Sequence, residues 1–435
     1  MRLGRNHLRT LALYFMMMLL LGFALGVLLT VILANFISSE KHLEHRLTSP
    51  YAITDPQFTR SMSGLLGHPL VGGNRIKVLM NGDEIFPAML AAIRSAERTI
   101  TFETFIYWRA SIGREFAEAL AERARHGVRV HLLMDFVGSN EMDPALLTMM
   151  ADAGADVEKF HPLSWYHLSR FNNRTHRKLL VIDGRIGFTG GVGIADEWLG
   201  HAQDAKHWRD THFRVEGPVV AQMQAAFMKN WIKTRKTVEH TEGYFPDLKP
   251  VGSHFAQMFH SSPQEGSENI RLMYLLSIAA ARSHILLEQA YFVPDDLAVE
   301  LLIGARKRGV RVEILTPGRR TDAPLVRRAS RSRWGPLLES GMRIFEFQPT
   351  NLHYKVMTVD GLWSSVGSTN FDNRSFRLND EANLNIHDAG FAARLEEVFD
   401  ADKARSREIT LAEWKNRPRM ERLWENTLGL FRSQM

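Results

Sequence analysis

Two long stretches of this 435-residue chain read as copies of one unit, and a duplication constrains the fold more than any single motif. The first copy runs IKVLMNGDEIFPAMLAAIRSAERTITFETFIYW from Ile76 and continues as FAEALAERARHGVRVHLLMD to Asp135. The second runs IRLMYLLSIAAARSHILLEQAYFVP from Ile270 and continues as LAVELLIGARKRGVRVEILTPG to Gly318. Each predicts a helix, then a strand ending in an acidic residue beside aromatics: Glu103 with Phe105 and Tyr107, Glu288 with Tyr291 and Phe292. A second helix and a Gly-Val-Arg-Val strand follow in both. The next matched strands are Ala155 to Phe160 and Met342 to Phe347. Helical apolar spacing alternating with short β-branched runs is the pattern of an α/β sheet covered by helices. The expected fold is therefore α/β, two pseudo-symmetric α-β-α sandwich repeats with a shared site between them. The repeats are placed at 75–240 and 269–435, the second including a C-terminal helix. Pro246, Pro250, Pro263, Gly243, Gly252 and Gly266 mark 241–268 as an inter-repeat linker.

Upstream, Leu11 to Ile37 contains no charged residue and is long enough to cross a bilayer core of about 20 residues. It exceeds the apolar stretch of a cleaved signal, roughly 7–15 residues. Residues 1–40 are thus expected to be a single-pass anchor, and 41–74 a linker. Arg2, Arg5 and Arg9 precede the span, while Lys41 and Arg46 follow it among Glu40 and Glu44. The positive-inside bias puts the N-terminus in the cytoplasm and the remainder on the outer face.

The chemistry recurs at matching points of the two copies. His176, Lys178 and Asp183 form one His-x-Lys-x4-Asp motif, and His353, Lys355 and Asp360 form the other. Each enters an apolar run read as a buried strand. Residues i and i+2 of a strand share a face, so each His and Lys project together at a sheet edge. An imidazole serves as nucleophile or general acid near neutral pH, and an ammonium beside it favours a phosphoryl oxygen. Two such pairs facing one another are the equipment for repeated displacement at phosphorus through a phosphohistidine.

These motifs, with Val366 to Asp372 (VGSTNFD) and Arg374-Ser375-Phe376 after the second, resemble the phospholipase D superfamily and, more narrowly, its bacterial cardiolipin synthases. The similarity covers Ile76 to the C-terminus. It implies His176 as nucleophile and His353 as acid/base, with Lys178, Lys355 and Asn370 on the phosphate oxygens. It further implies that Asp210 and Glu381 each bond the histidine of the opposite half, and that Asp183 and Asp360 support the motifs without making bonds to substrate. The activity implied is transfer of a phosphatidyl group from phosphatidylglycerol to a second phosphatidylglycerol, with anionic phospholipid as partner and no cofactor or catalytic metal. Gly190-Gly191-Val192-Gly193 stands where the family often has Ser and Asn, so the first half-site lacks a match for Asn370. The family's cardiolipin synthases often carry two N-terminal spans, and one is found here. Rival readings keep the site but make water the acceptor, in a phospholipase D acting on phospholipid headgroups or in a nuclease cleaving the phosphodiesters of DNA or RNA; a non-enzymatic membrane scaffold is argued against by the two intact motifs. No nucleic-acid-binding module is apparent, so no nucleic-acid partner is expected.

The absence of cysteine excludes disulfides, thiolate metal sites and cysteine nucleophiles. A net charge of +6 favours anionic partners. Glu103 and Glu288 read equally as cleft residues or as caps. Arg319, Arg320, Arg327, Arg328, Arg331 and Arg333 form a basic stretch, either a solvated helix or a contact for anionic headgroups. Val219 to Thr234 reads as a helix packing its Met and Phe on the sheet. Leu411 to Phe431, with Trp414, Leu423, Trp424 and Leu428, is expected to dock on the domain, the alternative being a place at the bilayer interface.

Overall fold

The computed structural model describes residues 3–36, 47, 51–162, 172–263 and 266–429, with the side chains of the N-terminal helix described from 10 to 30. In chain order the first half contributes strands β1 (Val71–Met80), β2 (Thr99–Thr104), β3 (Arg129–Asp135), β4 (Asp156–Phe160), β5 (Leu179–Ile182), β6 (Ile186–Gly190) and β7 (Thr211–Glu216). The second contributes β8 (His254–Ser261), β9 (His284–Gln289), β10 (Phe292–Val293), β11 (Arg311–Pro317), β12 (Arg343–Phe347), β13 (Lys355–Val359), β14 (Trp363–Gly367), β15 (Phe371–Asp372), β16 (Glu381–His387) and β17 (Ser406–Ile409). All but the small β10–β15 pair join one 15-stranded sheet, in the order β17-β12-β11-β9-β13-β14-β16-β8-β1-β7-β6-β5-β2-β3-β4. Read outward from the β8–β1 junction, the order β1-β7-β6-β5-β2-β3-β4 mirrors β8-β16-β14-β13-β9-β11-β12. The duplication is therefore a duplication of topology as well as of sequence.

Each half mixes two kinds of pairing for a physical reason. β2, β3 and β4 run parallel, as do β9, β11 and β12, because helices such as Ser111–Arg125 and Asp296–Lys307 carry the chain back across the sheet. Covered on both faces, β2 (Thr-Ile-Thr-Phe-Glu-Thr) is buried along its whole length. The motif strands β5 and β13 instead form tight antiparallel hairpins with β6 and β14. Their turns are Asp183-Gly184 and Asp360-Gly361, all four with φ between 51° and 64°, a region Asp tolerates and Gly enters freely. The helix Val220–Arg235 buries Met223, Phe227, Met228 and Trp231.

Two boundaries differ from expectation. The segment 241–268 contains β8, which pairs with β16 from Glu381↔Ser261 to His387↔Phe255 and is the second half's innermost strand. Its breakers flank the strand: Pro250 and Gly252 lie before it and Pro263 after it, so the linker is shorter at both ends. The segment 41–74 holds the start of β1 and a helix, Pro56–Leu66, capped by the Asp55 carboxylate on the Gln57 amide. Phe58, Met62 and Leu66 recur at helical spacing and are buried in the core of the second half. This leading segment therefore staples itself to the far repeat.

The N-terminal helix spans Leu3–Phe36, and Thr10–Thr30 has a mean hydropathy of 2.4 with none of it buried. Among the described residues it alone is long and apolar enough to cross a membrane. Arg2, Glu40, Lys41, Glu44 and Arg46, on which the orientation rests, lie outside the described residues, as does Phe431.

Candidate active site

The two motif strands start at the edge where the halves meet. The residues just ahead of them are pinned by the opposite half, through bridges pairing Thr175 with Asp380 and Leu352 with Arg209. The His176 amide donates to the Asp380 carbonyl at 2.9 Å, and the His353 amide to that of Arg209 at 2.8 Å. Each histidine is therefore held by two repeats at once.

The side chains complete the exchange. His176 Nδ1 lies 3.0 and 3.1 Å from the Glu381 carboxylate oxygens, and His353 Nδ1 lies 3.1 Å from Asp210 Oδ2. With Nδ1–H donating to a carboxylate, each ring keeps its Nε2 lone pair for chemistry. Both histidines line one cavity of about 190 Å³, shared with Lys178, Asn370, Phe105, Tyr291 and Arg374. Lys178 Nζ donates to the His176 carbonyl at 3.0 Å; Lys355 Nζ donates to the His353 carbonyl and sits 3.1 and 3.3 Å from the His353 ring nitrogens. The Asn370 amide oxygen has no hydrogen-bond partner among the described residues.

Burial dominates the electrostatics. Desolvation, followed by the charge of Lys178 and Lys355, holds His176 well below the ordinary imidazole range, and desolvation with Lys355 lowers His353. The ammonium groups suffer too: burial and Lys355 bring Lys178 down to about 7, and burial brings Lys355 down to about 8. Burial raises Glu381 to about 7. Burial also pushes Asp210 upward, but bonding to His353, the Lys355 charge and the Trp198 N–H outweigh it and leave Asp210 below its usual value. A cleft whose buried ammonium groups are destabilised as cations is set to receive an anion.

Not every expected residue reaches this cavity. Asp183 and Asp360 sit at the far ends of β5 and β13, about 16 Å along the strand from their lysines. There Asp183 accepts from the amides of Glu97, Arg98 and Thr99, and Asp360 from those of Arg282, Ser283 and His284. Grouped with the catalytic motif by sequence, they act in the structure as turn formers that tether the start of β2 and β9. Glu103 and Glu288 are buried outside the cavity lining. Glu103 Oε1 accepts from the hydroxyl of Thr175, next to His176, and from Asn230. Burial and the charge of Asp402 push Glu288 well above the usual carboxylate range.

Sequence reading passed over Arg174 and Trp198, and quoted Arg374 in Arg374-Ser375-Phe376 without giving it a role. Arg174 and Arg374 line the cavity, Arg174 two residues ahead of His176 on the strand alternation that already linked His176 to Lys178. The Trp198 indole N–H donates to Asp210 Oδ2 at 2.7 Å, a long-range pairing with no local signal. Of the basic stretch, Arg327 and Arg331 are committed to buried Glu346, and Arg331 also to Glu425. Among the described residues, no group of three or more His, Cys, Asp or Glu side chains converges as metal ligands would.

Two imidazoles in one cationic cavity, each backed by a carboxylate from the other half of a duplicated α/β sheet, define an enzyme of the phospholipase D type. A family profile described as "Cardiolipin synthase, PLD-like domain" matches residues 89–231 and 274–403. Cardiolipin synthase A of Pseudomonas fluorescens Pf-5 is 35% identical over 385 residues, covering 88% of this chain and 79% of that protein. A cardiolipin synthase of Staphylococcus aureus Mu50 is 35% identical over 351 residues, covering 80% and 71%. The chain belongs to the phospholipase D-like cardiolipin synthase family. Among solved structures, phosphatidylserine synthase of Haemophilus influenzae shares the fold, with a TM-score of 0.68 at 14% identity over 87% of this chain and all of that one.

Proposed function

We propose that the chain makes cardiolipin from two molecules of phosphatidylglycerol. His176 Nε2 attacks the phosphorus of the first; the P–O bond to the headgroup glycerol breaks, and His353, protonated, gives its proton to the departing oxygen. The primary hydroxyl of the second phosphatidylglycerol then attacks the phosphatidyl-histidine. His353 takes that proton, the P–N bond breaks, and both rings return to their starting states. Glycerol and cardiolipin are the products. Lys178, Lys355 and Asn370 hold the non-bridging oxygens as charge builds on them. The reading rests on one observation above all, the crossed pairing of His176 with Glu381 and His353 with Asp210 around a common cavity.

The N-terminal helix keeps this cavity at its lipid. The excess of arginine before the span orients it with the N-terminus in the cytoplasm of a bacterial cell and the catalytic domain on the outer face of the inner membrane. The test is product analysis. Full-length protein in mixed micelles of labelled phosphatidylglycerol should release glycerol and cardiolipin in equal amounts, with no gain from added phosphatidylethanolamine. Phosphatidic acid as the main product would make water the acceptor and overturn the assignment.

A further inference from the structure

The C-terminal helix Arg419–Gly429 is amphipathic in the wrong sense for a helix that only docks on a domain. The residues it buries are Glu425 and Gly429. Glu425 is clamped by Arg331 Nε at 2.7 Å and Arg417 Nε at 2.5 Å, and a Cβ on Gly429 would stand 2.8 Å from the Ser332 hydroxyl. The apolar side chains face outward: Met420 is 62% exposed, Leu423 60% and Trp424 54%. At about 100° per residue these three lie within roughly 100° of one another, one coherent face. Single exposed apolar residues are ordinary, but three on the solvent side of a helix anchored by its polar side are not. Leu325, on the helix Pro324–Ser332 that packs against this one, is exposed as well.

Charge complements this face. Met420 and Trp424 form part of the wall of an open basin of about 700 Å³ whose rim includes Arg319 and Arg328. Both arginines are exposed, and neither has an ion-pair partner among the described residues, whereas Arg327 and Arg331 nearby are neutralised by Glu346. Thr321 lines the basin, and its neighbour Asp322 lines the catalytic cavity, where it accepts from Tyr291. The basin and the cleft therefore share a rim.

We propose that this surface (Met420, Leu423, Trp424 and Leu325 with Arg319 and Arg328) is a second membrane contact that lies flat in the interface of an anionic bilayer and presents the mouth of the cleft to it. Apolar side chains enter the acyl boundary while free arginines meet headgroup phosphates, each basic residue adding about 1 kcal/mol near a charged surface. The N-terminal helix restrains distance alone; this contact sets orientation. The proposal rests on the lipid substrate argued above, and its test needs no turnover, so the two can fail separately.

The chain has no cysteine, so a single nitroxide label can be placed without background. Leu423→Cys and, as control, Glu118→Cys are labelled in full-length protein and reconstituted into phosphatidylglycerol vesicles. Collision of the label with an aqueous nickel chelate should fall at least about fivefold at 423 relative to 118, and collision with oxygen should rise. Adding Arg319→Glu and Arg328→Glu should restore water access at 423, with unchanged melting as the check on folding. Equal access at the two positions would overturn the proposal. So would spin–spin broadening between labels at 423, which marks a second copy of the chain as the occupant.

Discussion

The two halves of the site share a backbone and differ in what holds each carboxylate. In the second half, Glu381 receives the Ser368 hydroxyl at 2.5 Å, and burial leaves it near 7. In the first half the position of Ser368 is Gly191, where a Cβ would lie 2.2 Å from Asp210 Oδ1. Asp210 is instead gripped by the Trp198 indole and the Thr211 amide, and it lies below the ordinary range once its bond to His353 and the charge of Lys355 are counted. The glycine is thus required by the way this half seats its carboxylate. One geometry is made to hold two different proton affinities, which is how a pair of like groups acquires opposite roles. The proposed roles follow this difference: His353, bonded to the carboxylate held below its usual value, is assigned the proton transfer, and His176, beside the carboxylate raised by burial, the nucleophilic attack.

The sharpest way to break this comparison is to change the leaving group. His176→Ala should abolish transfer from phosphatidylglycerol and from an analogue with a nitrophenol leaving group alike. His353→Gln should lose roughly 10²–10⁴-fold on phosphatidylglycerol, the usual worth of a general acid, but far less on the nitrophenyl analogue, whose departure needs no proton. Burst measurements of nitrophenol release decide it. If His176→Ala retains the burst and His353→Gln does not, the roles are reversed.

The lysines offer a second contrast, of intermediate size. An unfolded lysine titrates near 10.5, whereas Lys178 titrates near 7 and Lys355 near 8 in the folded chain. The unfolded state therefore binds more protons between those values. The destabilisation is absent above about 10.5 and complete once the pH falls through 7 for Lys178, or through 8 for Lys355. Activity has the opposite slope, because only the ammonium form holds phosphate, so kcat/KM should fall as the pH rises through 7 to 8. Lys178→Met should cost about 10²–10³-fold in kcat, like a lost oxyanion donor, yet raise Tm by a few degrees at pH 6 and less at pH 9.5. Lys355→Met should show the same signs with the smaller thermal gain. Melting curves and rates at the two pH values check both, and a Tm that drops at pH 6 would refute the burial argument.

What was legible in the sequence follows from the range of each interaction. The motif pairs could be read because strand alternation couples His176 to Lys178, and His353 to Lys355, across two residues. The duplicated helices and strands were legible for the same reason, since apolar period is local. Partners that meet only through the tertiary fold carry no such period. Nothing near Trp198 announces that its indole reaches Asp210, and Glu103 shows its purpose only where Thr175 arrives from 72 positions away. The proline and glycine punctuation around β8 read as a linker because a central strand flanked by breakers looks, residue by residue, like a loop. The helix Pro56–Leu66 was hidden for a similar reason: its three buried residues are spaced correctly, but the core they fill belongs to the distant repeat.

At the far ends of the motif strands the halves should behave alike, and there the comparison predicts the smallest effect on turnover. Asp183 and Asp360 have φ of 51° and 54°, lead into positive-φ glycines, and each accept three backbone amides at the start of the neighbouring strand. Asp183→Ala or Asp360→Ala leaves those amides, of which those of Thr99 and His284 are partly buried, without their acceptor and puts alanine in a conformation it resists. Each should lower stability by about 1–3 kcal/mol, seen as a lower Tm. Measured well below that Tm, kcat/KM should stay within about threefold of the parent for both variants, because the strand keeps His and Lys in register from its other end. A drop of a hundredfold in a variant that remains folded would move that aspartate into the chemistry; a drop in only one of the two would show that the halves diverge even in their scaffolding.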